Sequence, residues 1–383
     1  CEPGAILVLR PDHPQPFTLF VAPKNPDAER WNGRRVGPDQ ACSQFGADAS
    51  FAHGELAKHL PNLLDGVKTL WAPYPASGPL GSLLTAATRN LRSRNRSGYH
   101  PPVAYADAHL MLGEDRMVKD RGAMASLRRA IELSAAGHVA AMQHCRPGMH
   151  EYEIEALVEY TFRRHGSSGP GYASIVGGGN NATVLHYIDN NAQLNAGDLL
   201  LIDAGAEWDY FTGDITRTFP ISGRFTPAQR DAYEVVLAAN RAGIAHATTT
   251  GTIDGIHEVC LRVLCEGMRA LKLVQGSLDE ILERGLYKPF YMHKTNHWLG
   301  VDVHDAGYYC VDTTPRRLEP GFVLTVEPGL YIDRAYEDVP EELRGLGIRI
   351  EDDVLVTSQG PEVLTAAAPK DADEIEALVG SAG

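Results

Sequence analysis

The sequence contains little that would tie the protein to a membrane or a nucleic acid. No apolar run in its 383 residues approaches the roughly 20 residues that a membrane-spanning helix needs. The chain does not open with the basic and then apolar segment of a secretion signal. It has 35 Lys and Arg against 49 Asp and Glu, and the resulting net charge of −14 argues against nucleic-acid and anionic-membrane partners.

Cysteine is also scarce, and its spacing excludes two common uses. The six cysteines form no Cys-x-x-Cys pair, so neither a disulfide framework nor a thiolate metal site is expected. We predict free, buried thiols, which are typical of a reducing compartment and indicate a cytoplasmic protein. The six are Cys1, Cys42, Cys145, Cys260, Cys265 and Cys310.

The amino-terminal part is predicted to be a small α/β unit. Residues 5–9 and 17–22 have the pattern of strands and are separated by a proline-rich turn. Because Cys1 is not an initiator Met and a strand follows almost at once, we expect the chain to begin inside this domain. The basic stretch 92–102 could suggest an RNA contact, but in so acidic a chain a linker or solvated loop is favoured. The predicted domains are therefore 1–110, with the linker, and 111–383.

The second domain is predicted to contain two helical hairpins, each followed by strands. The helices cover residues 120–145, 151–165, 227–246 and about 252–272. Two ordinary helical hairpins would look much the same as a repeat. If the repeat is real, the domain is a pseudo-duplicated α/β (α+β) fold in which each half gives two acids to one central site.

Four acids stand at the ends of apolar strands. Asp203 ends the run 199–202 and Asp214 opens the run 214–219, and hairpin pairing could bring the two carboxylates to one face. Glu327 ends the run 322–326, and Glu351 ends the alternating run 347–351. Taken singly, each has a simple structural interpretation, such as a turn cap, a solvated acid or, for Glu351, an ion pair with Arg349. Their joint occurrence favours a common site.

Electrostatics indicates what such a site would hold. Two carboxylates about 4 Å apart repel by about 4 kcal/mol at an effective dielectric constant of about 20. Four converging carboxylates therefore need neutralising cations. Two divalent ions balance them, with His297 completing the ligand set, and oxygen-rich ligands favour Mn²⁺ over a thiolate-type zinc site.

Histidines surround the predicted ligands. His293, His297 and His304 lie in one segment beside the turn Trp298-Leu299-Gly300. His186 follows a triple glycine that lacks the Lys-Ser/Thr ending of a phosphate loop, so a substrate-facing loop is the better interpretation.

These motifs together resemble aminopeptidase P, the Xaa-Pro aminopeptidase of the "pita-bread" metallopeptidases. The resemblance covers the carboxyl half continuously and extends more weakly through Glu29-Arg30-Trp31-Asn32-Gly33-Arg34-Arg35. The motifs are Tyr172-Ala-Ser-Ile-Val-Gly-Gly-Gly-Asn with Leu185-His186-Tyr187, Asp203-Ala-Gly with Thr212-Gly-Asp214-Ile-Thr-Arg, His297-Trp-Leu-Gly-Val-Asp-Val-His304-Asp, Thr325-Val-Glu327-Pro-Gly-Leu-Tyr and Gly347-Ile-Arg349-Ile-Glu351-Asp.

The resemblance implies a pita-bread catalytic domain with two divalent ions, manganese first and zinc or cobalt as alternatives. Asp203 would bind one ion, Asp214 and Glu351 would bridge both, and His297 and Glu327 would hold the other. A metal-bridged hydroxide would attack peptides with proline in second position, and Glu327 would serve as general base and then acid.

The same resemblance assigns the surrounding side chains. His304 would stabilise the oxyanion, His186 would assist the leaving group or the scissile carbonyl, and His293 would face the proline. Tyr172 would help to hold the free amine, and Arg349 would orient the acids. The Trp31 segment would reach a neighbouring subunit's active site, which implies a dimer or tetramer.

Two other functions remain open at this point. A Xaa-Pro dipeptidase shares the fold and the ligands, although the Trp298 turn and the Trp31 segment look more like the aminopeptidase. A non-catalytic pita-bread binding module usually loses metal ligands, and none is lost here.

Overall fold

The computed structural model describes residues 2–73 and 78–382, so Cys1 lies outside the described residues. The chain divides into two compact units, Cys1–Met111 and Leu112–Gly383, and each is described by itself. The assignment of 1–110 and 111–383 as separately folding domains stays a prediction, which expression of each piece would test.

The first unit is a small α/β structure. β1 pairs antiparallel with β2, β2 pairs parallel with β3, and β4 pairs parallel with β5. The two predicted strands are confirmed as β1 and β2. The strands are β1 (Ile6–Leu9), β2 (Phe17–Val21), β3 (Ala49–Ala52), β4 (Thr69–Ala72) and β5 (Ala104–Asp107), and the helices are α1 (Pro26–Asn32), α2 (Pro38–Phe45), α3 (Leu56–Leu64) and α4 (Gly78–Ser93).

The basic stretch 92–102 is exposed for most of its length but is not a linker. Its first residues finish α4, and Asn95–Ser97 form a 3-10 turn. The chain then enters β5, which pairs with β4 inside the same unit. The favoured alternative, a solvated loop, therefore agrees with the exposure of this stretch, whereas a linker between domains does not, because β5 follows within the same unit.

The second unit contains most of the helices and the antiparallel sheets. α5 crosses the division between the units. The helices are α5 (Ala108–Met117), α6 (Arg121–His144), α7 (Glu151–Arg164), α8 (Pro227–His246), α9 (Ile253–Ala270), α10 (Leu278–Glu283) and α11 (Ala372–Leu378). The strands are β6 (Gly169–Pro170), β7 (Ile175–Gly178), β8 (Leu199–Asp203), β9 (Ala206–Trp208), β10 (Phe211–Thr212), β11 (Thr216–Pro220), β12 (Cys310–Val311), β13 (Thr314–Pro315), β14 (Val323–Val326), β15 (Gly329–Ile332), β16 (Leu346–Arg349), β17 (Asp352–Thr357) and β18 (Gly360–Val363).

The predicted fold class is confirmed, and the repeat is visible in the order of elements. The hairpin of α6 and α7 precedes the sheet β11-β8-β7, and the hairpin of α8 and α9 precedes the sheets β14-β17-β18 and β15-β16. The residue before the second helix of each hairpin makes an isolated antiparallel bridge, His150 to Gln193 and Thr252 to Arg317. Matching bridges at matching positions are expected of a duplicated unit.

Helix boundaries follow from local chemistry. Thr226 caps α8 by accepting from the Gln229 N–H, with Pro227 in the first turn, and Thr252 caps α9 in the same way. Gly243 lets α8 approach its neighbours closely, because an added Cβ would overlap the Cys260 sulfur and lie 2.8 Å from a Val326 methyl. This close approach brings α8 against the segment that carries Glu327.

Two features differ from the predictions. The cysteines at 145, 260 and 265 are buried and free, but Cys310 is exposed in β12 and Cys42 is half-buried, because both lie on short surface elements. Asp214 and Glu351 stand just outside the strand ladders instead of within them.

Within the described residues, no helix is both long and apolar enough to cross a membrane.

Candidate metal centre and active site

The four acids stand where strands of the second unit end. Asp203 is the last residue of β8, and Asp214 lies two residues before β11, whose Thr216 is opposite Asp203. Glu327 lies between β14 and β15, and Glu351 lies between β16 and β17. The Glu351 N–H donates to the Thr216 carbonyl at 3.1 Å, which joins the strands of the two repeats at the site.

Asp203 and Asp214 converge on one hydroxyl. The Tyr172 hydroxyl oxygen is 2.7 Å from Asp203 Oδ1 and 2.6 Å from Asp214 Oδ1. A hydroxyl has one proton, so Tyr172 can donate to only one of the two carboxylates at a time. The two acids are therefore held together by a partner that cannot neutralise both.

His297 offers a ring nitrogen to the same place. Its Nδ1 lies 3.0 Å from the Trp298 carbonyl, which directs Nε2 towards Asp214 Oδ2 at 3.3 Å and Glu327 Oε1 at 3.7 Å. One ligand atom from each of Asp214, His297 and Glu351 lies within 4.8 Å of the others. A backbone carbonyl on Nδ1 is the usual partner of a metal-binding histidine, since it leaves Nε2 free for the ion.

The charges of the site are unbalanced without cations. Burial raises the pKa of Glu351, and repulsion from Asp214 and Glu327 adds to it. Burial also raises the pKa of Glu327 to about 7 and that of Asp214 above its usual value. Burial opposes protonation of His297, but Asp214 outweighs it and raises the pKa of the imidazole to about 9. These shifts are those of a ligand set that takes up protons in place of metal, so four carboxylates and an imidazole fit hard divalent ions.

Arg349 ties the site together from a buried position. Its Nη2 donates to Asp203 Oδ2 at 2.7 Å, and its Nε donates to Thr216 Oγ1 at 3.1 Å. Thr216 in turn donates to Glu351 Oε2 at 2.6 Å. The ion pair of Arg349 is therefore with Asp203, and its link to Glu351 runs through the Thr216 hydroxyl.

All the site residues predicted in the second unit line one cavity of about 510 Å³. The ring centroids of His304 and His297 are 4.2 Å apart. His293 Nε2 lies 2.9 Å from the Tyr331 hydroxyl, and burial lowers the pKa of His293 to about 4. The predicted residues at the cavity are Tyr172, His186, Asp203, Asp214, His293, His297, His304, Glu327, Arg349 and Glu351.

Trp31 lies in the first unit, near the end of α1, and is 88% exposed. An indole exposed to this extent is available for contact with another molecule. Its role at a subunit interface stays a prediction.

Sequence reasoning missed three residues of the site. Tyr331 accepts from Arg349 Nη1 at 3.0 Å, Thr216 joins Arg349 to Glu351, and Asp353 accepts the Asp214 N–H at 3.0 Å. A signal existed for Tyr331, which ends the motif that begins at Thr325, and for Asp353, which belongs to a run of three acids. Thr216 belongs to the motif that begins at Thr212, but nothing in that motif indicates that its hydroxyl contacts Glu351.

A second cavity, of about 590 Å³, lies within the first unit. Its lining is mostly the apolar side chains of β1, β4 and α3, and Asp12 is the only carboxylate among the residues that line it. The cavity of the second unit is therefore where hydrolytic chemistry is possible.

The fold and the ligand set define a class of protein, a metal-dependent hydrolase with a duplicated catalytic unit. Residues 125–358 match the model of metallopeptidase family M24, and residues 1–71 match that of the aminopeptidase P N-terminal domain. The chain belongs to metallopeptidase family M24.

The chain is similar over nearly its whole length to known proteins. The chain is 42% identical to the Xaa-Pro aminopeptidase of Escherichia coli over 381 residues, which cover 99% of this chain and 86% of that protein. The structure of Pseudomonas aeruginosa aminopeptidase PepP superposes with a TM-score of 0.96 at 43% identity, covering 100% of this chain and 86% of that one. Zinc-substituted E. coli aminopeptidase P in complex with product gives a TM-score of 0.93 at 41% identity, covering 100% and 87%. The family predicted from the motifs is confirmed.

Proposed function

We propose that this protein is a Xaa-Pro aminopeptidase, which removes the amino-terminal residue from peptides with proline in second position. The observation that carries the proposal is the meeting of Asp203, Asp214, His297, Glu327 and Glu351 in one cavity of a family M24 chain. The similarity to Xaa-Pro aminopeptidases over nearly the whole chain supports the aminopeptidase over the dipeptidase.

We infer that the five ligands hold two divalent ions, with manganese preferred and zinc or cobalt as substitutes. Four carboxylates balance the charge of two such ions, and oxygen donors suit Mn²⁺. Asp203 would hold one ion, His297 and Glu327 would hold the other, and Asp214 and Glu351 would serve both. When bound, such ions lower the pKa of a water molecule and polarise the scissile carbonyl. Mass spectrometry of the native protein should find two ions per chain.

The substrate's free amine and the proton transfers are assigned to the acids and Tyr172. The amine is held between Asp203 and Tyr172, whose hydroxyl already contacts both aspartates. The Glu327 carboxylate faces His297 and His293 and takes a proton from the attacking water, then delivers it to the leaving nitrogen. Arg349 holds Asp203 in place for the amine.

Three histidines complete the proposed roles. His304 donates to the developing oxyanion, since its ring lies beside that of His297. His186, exposed on the loop that lines the cavity, assists at the scissile carbonyl or the leaving group. His293 is neutral and packs edge-on against Tyr291, so it offers the uncharged surface that a proline ring needs.

The cationic side chains at the cavity favour a substrate that continues beyond proline. A dipeptidase has to bind the carboxylate that follows proline, and a bidentate arginine does so best. Among the residues that line the cavity, Arg349 is occupied by Asp203 and Tyr331, and Lys294 points to Asp254 at 3.8 Å with 70% of its side chain exposed. The bond before proline is a tertiary amide with a fixed ring. The neutral His293 offers that ring an uncharged surface within the cavity.

Steady-state kinetics with added Mn²⁺ tests the proposal. We expect kcat/KM to be highest for Ala-Pro-Ala, much lower for Ala-Pro, and negligible for acetyl-Ala-Pro-Ala and Ala-Ala-Ala. A preference for Ala-Pro over Ala-Pro-Ala would make the protein a dipeptidase, and equal rates on Ala-Ala-Ala would remove the requirement for proline.

We also infer a cytoplasmic homo-oligomer. Every cysteine among the described residues is free, which suits a reducing compartment. The exposed Trp31 supports a contact between subunits.

A further inference from the structure

A buried set of charges lies beside the metal centre and takes no part in the cavity lining. Arg217 and Asp352 are both fully buried and form an ion pair at 2.8 Å. The other Asp352 oxygen accepts from Lys370 Nζ at 2.5 Å, and Thr365 donates to the first oxygen at 2.6 Å. The Asp352 carboxylate therefore contacts two cations, Arg217 and Lys370, although one cation would be enough to neutralise its charge.

Lys370 has a second partner, the side-chain amide of Asn240 on α8. Lys370 Nζ donates to Asn240 Oδ1 at 2.7 Å. Because an ammonium only donates, this contact requires the amide oxygen to point at Lys370 and the amide nitrogen to point the other way. Lys370 thus determines the orientation of the Asn240 amide.

The amide nitrogen of Asn240 holds the two segments that carry glutamate ligands. It donates to the Val326 carbonyl at 2.9 Å and to the Ile350 carbonyl at 3.3 Å. Those residues directly precede Glu327 and Glu351, which stand outside the strand ladders. The Asn240 side chain therefore links the main chain before Glu327 to the main chain before Glu351. The separation of these two main-chain positions sets the distance between the two glutamate ligands.

Arg217 also holds the main chain at Glu351. Its Nη1 donates to the Glu351 carbonyl at 2.5 Å and to the Thr216 carbonyl at 3.0 Å. Lys370 comes from the segment before α11, and it lies 130 residues along the chain from Asn240 but only 18 from Asp352. The carboxyl-terminal segment is thus connected through polar contacts to the metal centre.

We propose that Lys370 and Asn240 are positioning residues for the metal centre, holding the Glu327 and Glu351 carboxylates at the spacing that divalent ions require. The proposal rests on the proposed function, since it assumes that these glutamates bind metal. Neither residue touches the cavity, so each acts through the main chain of the ligand segments. Outer hydrogen-bond partners of metal ligands typically change metal affinity by about 10–100-fold when they are lost.

The test is the Mn²⁺ affinity of variants in the full-length protein, measured by calorimetry on the metal-free form. Lys370→Met removes the ammonium that orients the amide. Asn240→Asp keeps an acceptor for Lys370 and removes the two N–H donors. Both should weaken Mn²⁺ binding by about 10–100-fold. Lys370→Arg, which retains a donor and the charge, should lie between wild type and Lys370→Met.

Arg241→Met is the matched control. Arg241 is the next residue on α8 and forms an exposed ion pair with Asp371, next to Lys370, so it joins the same two elements without reaching the ligand segments. Its Mn²⁺ affinity should stay within about twofold of wild type. At saturating Mn²⁺, the positioning variants should keep a near-normal KM for Ala-Pro-Ala, because the groups that touch substrate are unchanged.

Two results would overturn the proposal. The first is Mn²⁺ affinity within twofold of wild type in both Lys370→Met and Asn240→Asp. The second is an equal loss in Arg241→Met, which would show that general docking of the carboxyl-terminal segment is responsible. If Lys370→Met does not fold, Asn240→Asp and Lys370→Arg still decide the question. A wild-type protein without peptidase activity would instead contradict the proposed function.

Discussion

At the scale of single residues, the site is dominated by like charges at short range. The carboxylates accept hydrogen bonds from Tyr172, Thr216 and Arg349, but these partners cannot neutralise all of them. Burial removes the water that would otherwise screen the repulsion. The metal-free site is therefore a strained arrangement, and individual substitutions should affect metal binding and stability in opposite directions.

Glu351→Gln tests this balance. The amide keeps the size of the side chain but removes one repelling charge and one metal ligand. We expect Mn²⁺ binding and peptidase activity to be lost, while the metal-free protein unfolds at the same temperature as wild type or higher. Calorimetry and thermal unfolding with and without Mn²⁺ measure both effects. Glu362→Gln, at an exposed ion pair with Arg128, should leave both unchanged. Near wild-type activity in Glu351→Gln would contradict its place in the site.

His138 should make stability depend on pH. It is fully buried on α6, and burial lowers its pKa to about 4 although the Ala204 carbonyl opposes this. The unfolded chain, with a pKa near 6.5, takes up the proton first, so the stabilisation is present above about pH 6.5 and is lost as the pH falls towards 4. At pH 5 the loss should reach about 2 kcal/mol.

Urea unfolding of the metal-free protein at pH 7.5 and pH 5 measures this loss. Between pH 7.5 and pH 5, the free energy of unfolding of His138→Gln should fall by about 2 kcal/mol less than that of wild type. His144→Gln, exposed on the same helix, should behave as wild type. An equal fall in unfolding free energy for all three proteins would mean that the pKa of His138 does not differ between the folded and unfolded states.

At the scale of elements, the segment that carries His304 is held by a buried ion pair at its end. The segment that carries His304 finishes at Asp305, whose carboxylate is buried against Lys119 Nζ at 3.0 Å and also contacts Arg116. Gly300 makes the turn possible, because a side chain there would collide with that carboxylate. The position of His304 therefore depends on an ion pair with residues before α6.

Asp305→Asn should uncouple this segment. It leaves Lys119 buried without its counter-ion, which we expect to cost about 3 kcal/mol of unfolding free energy and to lower kcat as His304 moves. Mn²⁺ affinity should change little, since His297, the ligand in this segment, is held separately by main-chain contacts with Thr325. Asp302→Asn is the control, because Asp302 contacts the same Arg116 but has 65% of its side chain exposed. Equal destabilisation by the two variants would exclude a special role for the buried carboxylate.

At the scale of the whole molecule, an exposed Trp31 and an acidic net charge of −14 are the features most relevant to assembly. An indole in water contributes binding free energy only when another surface covers it. The first unit therefore offers a candidate for contact between copies.

Trp31→Ala should weaken both assembly and catalysis on longer peptides. We expect sedimentation to show a smaller oligomer and kcat/KM for Ala-Pro-Ala to fall by about tenfold, if burial of the indole contributes about 1.4 kcal/mol to both. Trp71→Ala, at the half-exposed indole of β4, controls for the loss of a tryptophan in the same unit. A monomeric wild type with full activity would contradict the prediction.

The local sequence pattern was sufficient to predict much of this architecture. Helical periodicity and caps determine α6 to α9 almost to the residue, because Thr226, Thr252 and the Pro and Gly breaks act over a few residues. Apolar runs ending in acids predict where Asp203 and Glu327 stand. The combination of motifs identifies the family, since each motif carries residues whose chemistry is specific.

Only the tertiary structure decided which side chains meet. The contacts of Thr216 with Glu351 and of Asp353 with Asp214 depend on pairing between segments more than 100 residues apart, so the motifs that contain these residues do not reveal their partners. The same holds for Lys370, which lies 130 residues from Asn240 in sequence and within hydrogen-bond distance in space. The sequence determines local conformation through short-range sterics and capping. A buried polar network forms only after packing has excluded water and brought distant donors and acceptors together.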